Sequence, residues 1–204
     1  MAYYRDIVTE KSWETLQVIR RDYQFVLIGG WAVWIYTKQL KSKDIDLIVD
    51  LETLSKLKNN FTVTKNNRLH KYEIIKEEVQ VDIYVPFWSQ IGIPCEEILT
   101  KTQRVEGFRL PPPEALLALK QIAFLARAGS SKGRKDILDI ISLLKLPEFN
   151  WVRYREFVSL TKQDKQDLPA FLKEILSANT QMPELNLNSH KFSRLKKKWL
   201  SCLN

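Results

Sequence analysis

Cysteine and histidine are nearly missing from this chain, with two of each in 204 residues. Cys95 and Cys202 form neither a disulfide framework nor a metal-ligand spacing, so a disulfide-stapled fold is excluded and a reduced, cytoplasmic setting is the expectation. His70 and His190 stand alone in the sequence, which argues against a histidine-based zinc site or acid–base pair. Long hydrophobic runs are missing too. The longest, Phe25 to Tyr36, has twelve residues and is interrupted by two glycines, too short to cross a bilayer. Near the N-terminus Arg5, Asp6, Glu10 and Lys11 leave no sustained apolar stretch, so neither a signal peptide nor membrane association is expected. There is no internal repeat and no low-complexity segment.

What is present fits a globular protein of one large domain or two small ones: 24.0 kDa with 45% hydrophobic residues. The net charge of +8 is unevenly spread. Residues 191–204 carry five bases (Lys191, Arg194, Lys196, Lys197, Lys198) and no acid, and without them the balance is 27 bases against 24 acids. Such a tail can contact nucleic acid, or it can be the solvated face of a helix.

The chain is organised around Phe25 to Asp50. An apolar run, Phe25 to Ile28, ends in Gly29-Gly30. A helical apolar segment, Trp31 to Tyr36, follows. After a basic linker with Lys38, Lys41 and Lys43 come Asp44-Ile45-Asp46 and Leu47-Ile48-Val49, β-branched and apolar enough for a strand. On a strand, Asp44 and Asp46 would share one face, roughly 7 Å apart. Carboxylates that close repel each other, and a hard divalent cation such as Mg²⁺ would relieve them while sharing its coordination with phosphate. The plainer alternative is a pair of exposed aspartates at a strand edge. Glycines where a strand turns into a helix allow close backbone approach and leave helix N-terminal N–H groups for an anion. A third acid, Asp82, lies in Val79 to Val85, where alternation puts Val79, Val81, Ile83 and Val85 on one face and Gln80, Asp82 and Tyr84 on the other. Paired beside the Asp44–Asp46 strand, it would bring three carboxylates together.

Periodicity predicts helices over 2–22 (apolar stripe Val8, Trp13, Leu16, Val18, Ile19), Gly30–Tyr36 and Leu51–Lys58. Strands are predicted over Tyr23–Ile28, Asp44–Val49, Phe61–Thr64, Leu69–Ile75 and Val79–Val85, with turns at Lys65–Arg68 and Lys76–Glu78. A helical turn or two from Pro94 to Leu99 and a hairpin from Gln103 to Leu110 around Gly107 complete this part. Tight turns imply antiparallel neighbours, hence a mixed, largely antiparallel sheet with flanking helices, in the α/β (α+β) class. Pro111-Pro112-Pro113 marks the expected domain boundary, giving 1–110 and a helical 111–204. Helices are predicted there over 113–128, 134–145, 150–162, 167–178 and 189–202, with Ser177–Ser189 as a loop.

In the helix at 113–128, Lys120 falls within an apolar face formed by Leu116, Leu117, Ala123 and Phe124. A lysine there either snorkels to solvent or meets an anion. A basic loop, Gly129 to Gly133, leads to Arg134-Lys135-Asp136, with Asp139 three residues on. Asp136 and Asp139 share a helix face and are expected to pair with Lys120, Arg127 or Arg134 as structural ion partners.

Gly29-Gly30, thirteen residues, Asp44-x-Asp46 and then Asp82 on a later strand together resemble the polymerase-beta-like nucleotidyltransferase superfamily. The resemblance implies transfer of a nucleoside monophosphate from a nucleoside triphosphate to a hydroxyl, with two Mg²⁺ ions held by Asp44, Asp46 and Asp82 and the glycines against the phosphates. Lys120, the basic loop and Lys135-Asp136-x-x-Asp139 resemble the branch that includes the abortive-infection, type IV toxin–antitoxin toxins and related stand-alone prokaryotic proteins, although this chain has Gly30 where those toxins commonly have serine. That resemblance implies phosphate contacts from Lys120 and Arg134 or Lys135, with Lys43 of the basic linker as a further nucleotide-binding candidate, and a cognate antitoxin as a candidate partner, while the basic tail points to RNA, such as tRNA, as the acceptor. Gly29 to Val33 also resembles the opening of lincosamide and aminoglycoside nucleotidyltransferases, which implies a small-molecule acceptor instead. Two readings of other classes stand beside these: an idle nucleic-acid-binding or antitoxin-paired protein of the same fold, and an interaction module using surface tryptophans such as Trp88, Trp151 and Trp199.

Overall fold

The computed structural model describes residues 6–161 and 167–203. Residues 2–5 of the first expected helix, and 162 of the one expected over 150–162, lie outside them. The chain forms two compact units, one running to Pro112 and the other from Pro113.

The first unit begins with α1 (Asp6–Asp22), then β1 (Val26–Ile28) and α2 (Gly29–Thr37). Helical periodicity selects the buried stripe of α1: Thr9, Ser12, Leu16 and Ile19 face inward, whereas Val18, expected on that stripe, is off its face and exposed. Ser12 accepts a hydrogen bond from the Trp31 indole N–H at 2.9 Å. Trp13 packs against the rings of Trp31, Trp34 and Phe108, with centroids 5.0, 5.1 and 5.7 Å away.

Next come β2 (Ile45–Ile48), α3 (Leu51–Asn60), β3 (Thr64–Asn66), β4 (Lys71–Lys76) and β5 (Val79–Tyr84). Asp50 caps α3, its carboxylate accepting from the Thr53 N–H at 2.7 Å. The strand expected over Phe61–Thr64 begins only at Thr64, because Phe61 closes α3, donating its N–H to the Leu57 carbonyl at 2.9 Å. The sheet runs β1-β2-β5-β4-β3, with β2–β5 parallel and the other pairs antiparallel. Its apolar side is continuous across the central strands: Leu27 stands opposite Leu47, and Leu47 opposite Ile83, all buried. The unit ends with α4 (Cys95–Thr100) and a separate two-stranded hairpin, β6 (Gln103–Val105) and β7 (Phe108–Leu110). This is the mixed, mostly antiparallel α+β architecture that the turn pattern predicts.

The second unit contains α5 (Pro113–Arg127), α6 (Ser131–Leu144), α7 (Trp151–Ser159), α8 (Leu168–Ala178) and α9 (Ser189–Cys202). The basic loop expected at Gly129–Gly133 is largely the first turn of α6. Ser130 caps it, accepting from the Gly133 N–H at 3.0 Å. Gly133 lets α6 start close to α5, since a Cβ there would stand 2.6 Å from the Arg127 carbonyl oxygen. The loop expected over Ser177–Ser189 contains a 3₁₀ turn at Pro183–Leu185 and buries Met182, Leu185 and Leu187, so it is packed rather than plain loop.

Gln121, Lys120, Lys135, Asp136 and Asp139, all buried in this unit, are partnered, whereas Glu114 Oε2 is buried without a hydrogen bond. Gln121 donates to the Leu168 carbonyl at 2.7 Å and accepts from the Tyr154 hydroxyl at 2.6 Å. Asp136 accepts two bonds from the Arg127 guanidinium, at 2.6 and 2.8 Å. Lys120 lies 3.2 Å from Asp136 and 2.6 Å from Asp139, and Lys135 lies 3.1 Å from Asp139. The aspartates are thus ion-pair partners of Lys120 and Arg127, as their helix spacing predicts. Burial disfavours the charge on Asp136, but Arg127 and Lys120 outweigh it and hold the carboxyl below its ordinary 3.8. Burial holds Lys135 below the usual lysine range, against the pull of Asp139.

Asp136→Ala leaves Lys120 and Arg127 without this carboxylate and is expected to lower unfolding free energy by about 3–5 kcal/mol, read by urea titration. Because its pKa is lower folded than unfolded, Asp136 contributes stability above pH 3.8 that is lost as pH falls below it. Asp136→Asn therefore flattens that part of the acid-unfolding curve.

Candidate functional site

Asp46 lies in β2, half-buried, on the sheet face opposite Leu47. The antiparallel register sets it across from Ile28 of β1, and the parallel register sets it directly across from Asp82 of β5. Asp44 and Lys43 lie in the bend just before β2, also half-buried. Asp82 in turn faces Glu73 of β4. Three acids from three adjacent strands therefore form one row, Asp46, Asp82, Glu73.

Gly29 stands at the end of the row, where β1 passes directly into α2. Its φ of 67° lies in the left-handed region, and a methyl group there would overlap the Asp46 carboxylate. The glycine thus both makes the strand-to-helix turn and lets the backbone lie against Asp46. Gly30 follows, buried, inside the first turn of α2, whose preceding residue Ile28 makes no side-chain cap.

Lys71, from the same face of β4, reaches into the row. Its ammonium lies 2.7 Å from Asp82 Oδ2 and 2.8 Å from Glu73 Oε1. Gln80 donates to the other oxygen, Asp82 Oδ1, at 2.9 Å. Burial disfavours the Lys71 charge, but the hydrogen bonds to Asp82 and Glu73 outweigh it and raise its pKa above the ordinary value. Lys71 holds the Glu73 carboxyl below its own ordinary value.

Of the residues singled out by sequence, the first unit brings Gly29, Asp46 and Asp82 together, with Lys43 and Asp44 next to them in the chain. Lys120 and Lys135 meet around Asp139 in the second unit, whereas Arg134 faces away from that pair and binds Glu184 at 2.9 Å. Sequence reading missed Lys71, Glu73 and Gln80. The signal was present in the turn before β5. Lys76 pairs with Val79, leaving Glu77 and Glu78 as a two-residue turn, with Glu77 at φ 55°. A turn drawn one residue longer, from Lys76 to Glu78, shifts the register by one and puts Tyr72 rather than Glu73 beside Asp82.

The oxygen-only donors of Asp44 and Asp46 suit a hard divalent cation. Asp82 carries Lys71 on Oδ2 and Gln80 on Oδ1. Among the described residues, no three histidine, cysteine or acidic side chains are gathered as a metal-binding group, and no helix is long and apolar enough to cross a membrane.

No protein-family model matches this sequence, and no curated protein matches it. The chain is similar in structure to JHP933 of Helicobacter pylori, with 13% identity over 96% of this chain and 93% of that one and a TM-score of 0.52. It is similar also to an H. pylori protein provisionally described as a nucleotidyltransferase, with 15% identity over 98% and 99% of the two chains and a TM-score of 0.51. An antigenic nucleotidyltransferase-like protein of Paracoccidioides brasiliensis aligns over 93% and 92% of the two chains at 17% identity, with a TM-score of 0.46. The two H. pylori chains share the fold of this chain over nearly its whole length.

Gly29→Ala is expected to destabilise the protein by at least about 1–2 kcal/mol, the cost of a left-handed conformation to an L-residue, with overlap on Asp46 adding to it. Thermal or denaturant unfolding measures the loss.

Proposed function

We propose that this protein is a nucleotidyltransferase that moves a nucleoside monophosphate from a nucleoside triphosphate to a hydroxyl acceptor. The observation that carries this reading is the in-register pair Asp46 and Asp82, with Gly29 against Asp46, on a fold shared with the H. pylori protein provisionally described as a nucleotidyltransferase. In the reaction the acceptor oxygen bonds to the α-phosphorus, the bridging bond to the β-phosphate breaks, and pyrophosphate leaves. Asp44, Asp46 and Asp82 are the residues that would hold Mg²⁺, which supplies charge neutralisation for the triphosphate and for the attacking and leaving oxygens. Gly29 and Gly30 give the phosphates room and backbone N–H donors at the start of α2. Lys43, beside Asp44, is the cation that the first unit would offer the triphosphate. No side-chain nucleophile is needed.

RNA, with tRNA as the leading candidate, is the acceptor we favour over a small molecule. The support is α9, which buries Phe192 and Trp199 and exposes Lys191, Arg194, Lys197 and Lys198 to solvent. That is a basic face suited to phosphate. The likeness of Lys120, the basic loop and Lys135-Asp136-x-x-Asp139 to the toxin branch is the reason for naming an antitoxin as partner, with a cytoplasmic setting.

Incubation with each α-labelled nucleoside triphosphate, Mg²⁺ and total cellular RNA is expected to label one RNA class. Asp44→Ala and Asp46→Ala, folded by circular dichroism, should each lower labelling by at least about a hundredfold, the scale on which losing one electrostatic stabiliser acts. Full labelling by both variants would refute the mechanism.

A further inference from the structure

We propose that the turn after β5 carries a docking surface for single-stranded RNA, in which an unpaired base stacks on Phe87 and the flanking phosphates meet Lys58 and Lys65. RNA as the occupant rests on the acceptor reading above. The surface itself belongs to the first unit and is separate from α9.

Phe87 stands at the tip of the turn from Val85 to Ser89. The Ser89 N–H donates to the Val85 carbonyl at 3.1 Å, and the Ser89 hydroxyl accepts from the Val85 N–H at 2.9 Å. The Phe87 N–H donates to Glu96 Oε2 at 3.3 Å. This frame holds Phe87 in the left-handed region, at φ 62°, with 89% of its surface exposed. Left-handed backbone is costly to a bulky residue, and burial offsets none of that cost here. An exposed phenylalanine alone calls for no explanation, but this one is held out beside three more rings. Trp88 packs on Tyr72 and His70, with centroids 5.0 and 5.7 Å away. Register explains the cluster. β4 runs antiparallel to β5, so the residues after β5 pass the start of β4, where Tyr72 pairs with Ile83. Tyr72 lies on the face of Ile83 rather than that of Lys71, Glu73 and Asp82, which separates this surface from the row of acids.

The cations match a phosphate backbone. From Thr53 to Tyr72 the chain carries five bases and no acid. Two of them are taken up by carboxylates, Lys56 at 2.7 Å from Glu52 and Lys71 at 2.7 Å from Asp82. Lys58, Lys65 and Arg68 are exposed. The Lys58 ammonium lies 4.8 Å from the centre of the Tyr72 ring, and the Lys65 ammonium 4.7 Å from that of Trp88. The rings thus hold these charges near the turn without neutralising them. Rings set among cations are what sequence-tolerant binding of a single strand requires. A duplex offers no free base face, and a second copy of this chain would set like charges against one another.

The test is fluorescence anisotropy of the full-length protein with a labelled, unstructured RNA of about 12 nucleotides and with the duplex of the same sequence. The single strand is expected to bind more tightly. Phe87→Ala is expected to weaken it by about 5- to 100-fold, the scale of losing one base stack, and to leave the duplex unchanged. Phe87→Tyr keeps the ring and the affinity. Phe87→Gly, for which left-handed backbone costs little, serves if the alanine variant does not fold. Lys58→Gln and Lys65→Gln each reduce the slope of log affinity against log salt by about 0.7. Unchanged single-strand affinity in a folded Phe87→Ala or Phe87→Gly overturns the inference and leaves the transferase reading standing, with RNA held elsewhere. An equal loss on the duplex overturns it too. So does a wild-type dimer that Phe87→Ala dissociates in sedimentation, which makes the surface a contact between copies. No binding of either RNA by the wild-type protein overturns both the inference and the choice of RNA as acceptor, while transfer of label to a small molecule would keep the transfer chemistry itself.

Discussion

The parallel pairing of β2 with β5 is the constraint on which the rest of the first unit depends. Both strands are central, and their shared apolar side is buried through Ile45, Leu47, Val81 and Ile83. A slip of one residue in either strand would turn those side chains outward and bring acids into the core, so burial fixes the register strongly. With the register fixed, Asp46 must face Asp82. Hydrophobic packing on one side of the sheet thus sets two carboxylates together on the other, against their mutual repulsion.

That repulsion explains the neighbouring strand. β4 contributes Lys71 and Glu73 on the face of the acids, and the lysine is held so closely that its charge is stabilised despite burial. Gly29 answers a different demand at the other end of the row, where any side chain would collide with Asp46. The helical unit obeys the same rule. Its buried lysines and aspartates are tolerable because Lys120, Lys135, Arg127, Asp136 and Asp139 form a connected set in which each charge meets its opposite. The cost of stranding one of those charges, rather than the strength of any one pair, is what makes the set stabilising.

Much of this was legible from the chain alone. Alternation in Val79 to Val85 told which face carries Asp82, and the apolar content around Asp44 to Val49 told that a strand ends the Gly29-to-Asp46 stretch. Helix spacing put Asp136 and Asp139 on one face and offered Lys120, Arg127 or Arg134 as partners, of which the structure takes the first two. Short-range pattern suffices in such cases because the period of a strand or helix decides which residues share a face. The reading faltered at boundaries. Phe61 has strand propensity yet closes α3, and Ser130 starts α6 earlier than its apolar period suggests, because a hydrogen bond to a backbone group overrides composition at an element's end.

The sequence by itself determined the strands and helices that carry the acids and glycines, since those follow from local periodicity and from glycine's conformational freedom. Only the tertiary structure decided that Lys71 and Glu73 belong to the same row. That depends on the β4–β5 register, which turns on one residue in the length of the Glu77-Glu78 turn, and on a parallel partner joined through a crossover, and the turn fixes neighbours only once the sheet is assembled.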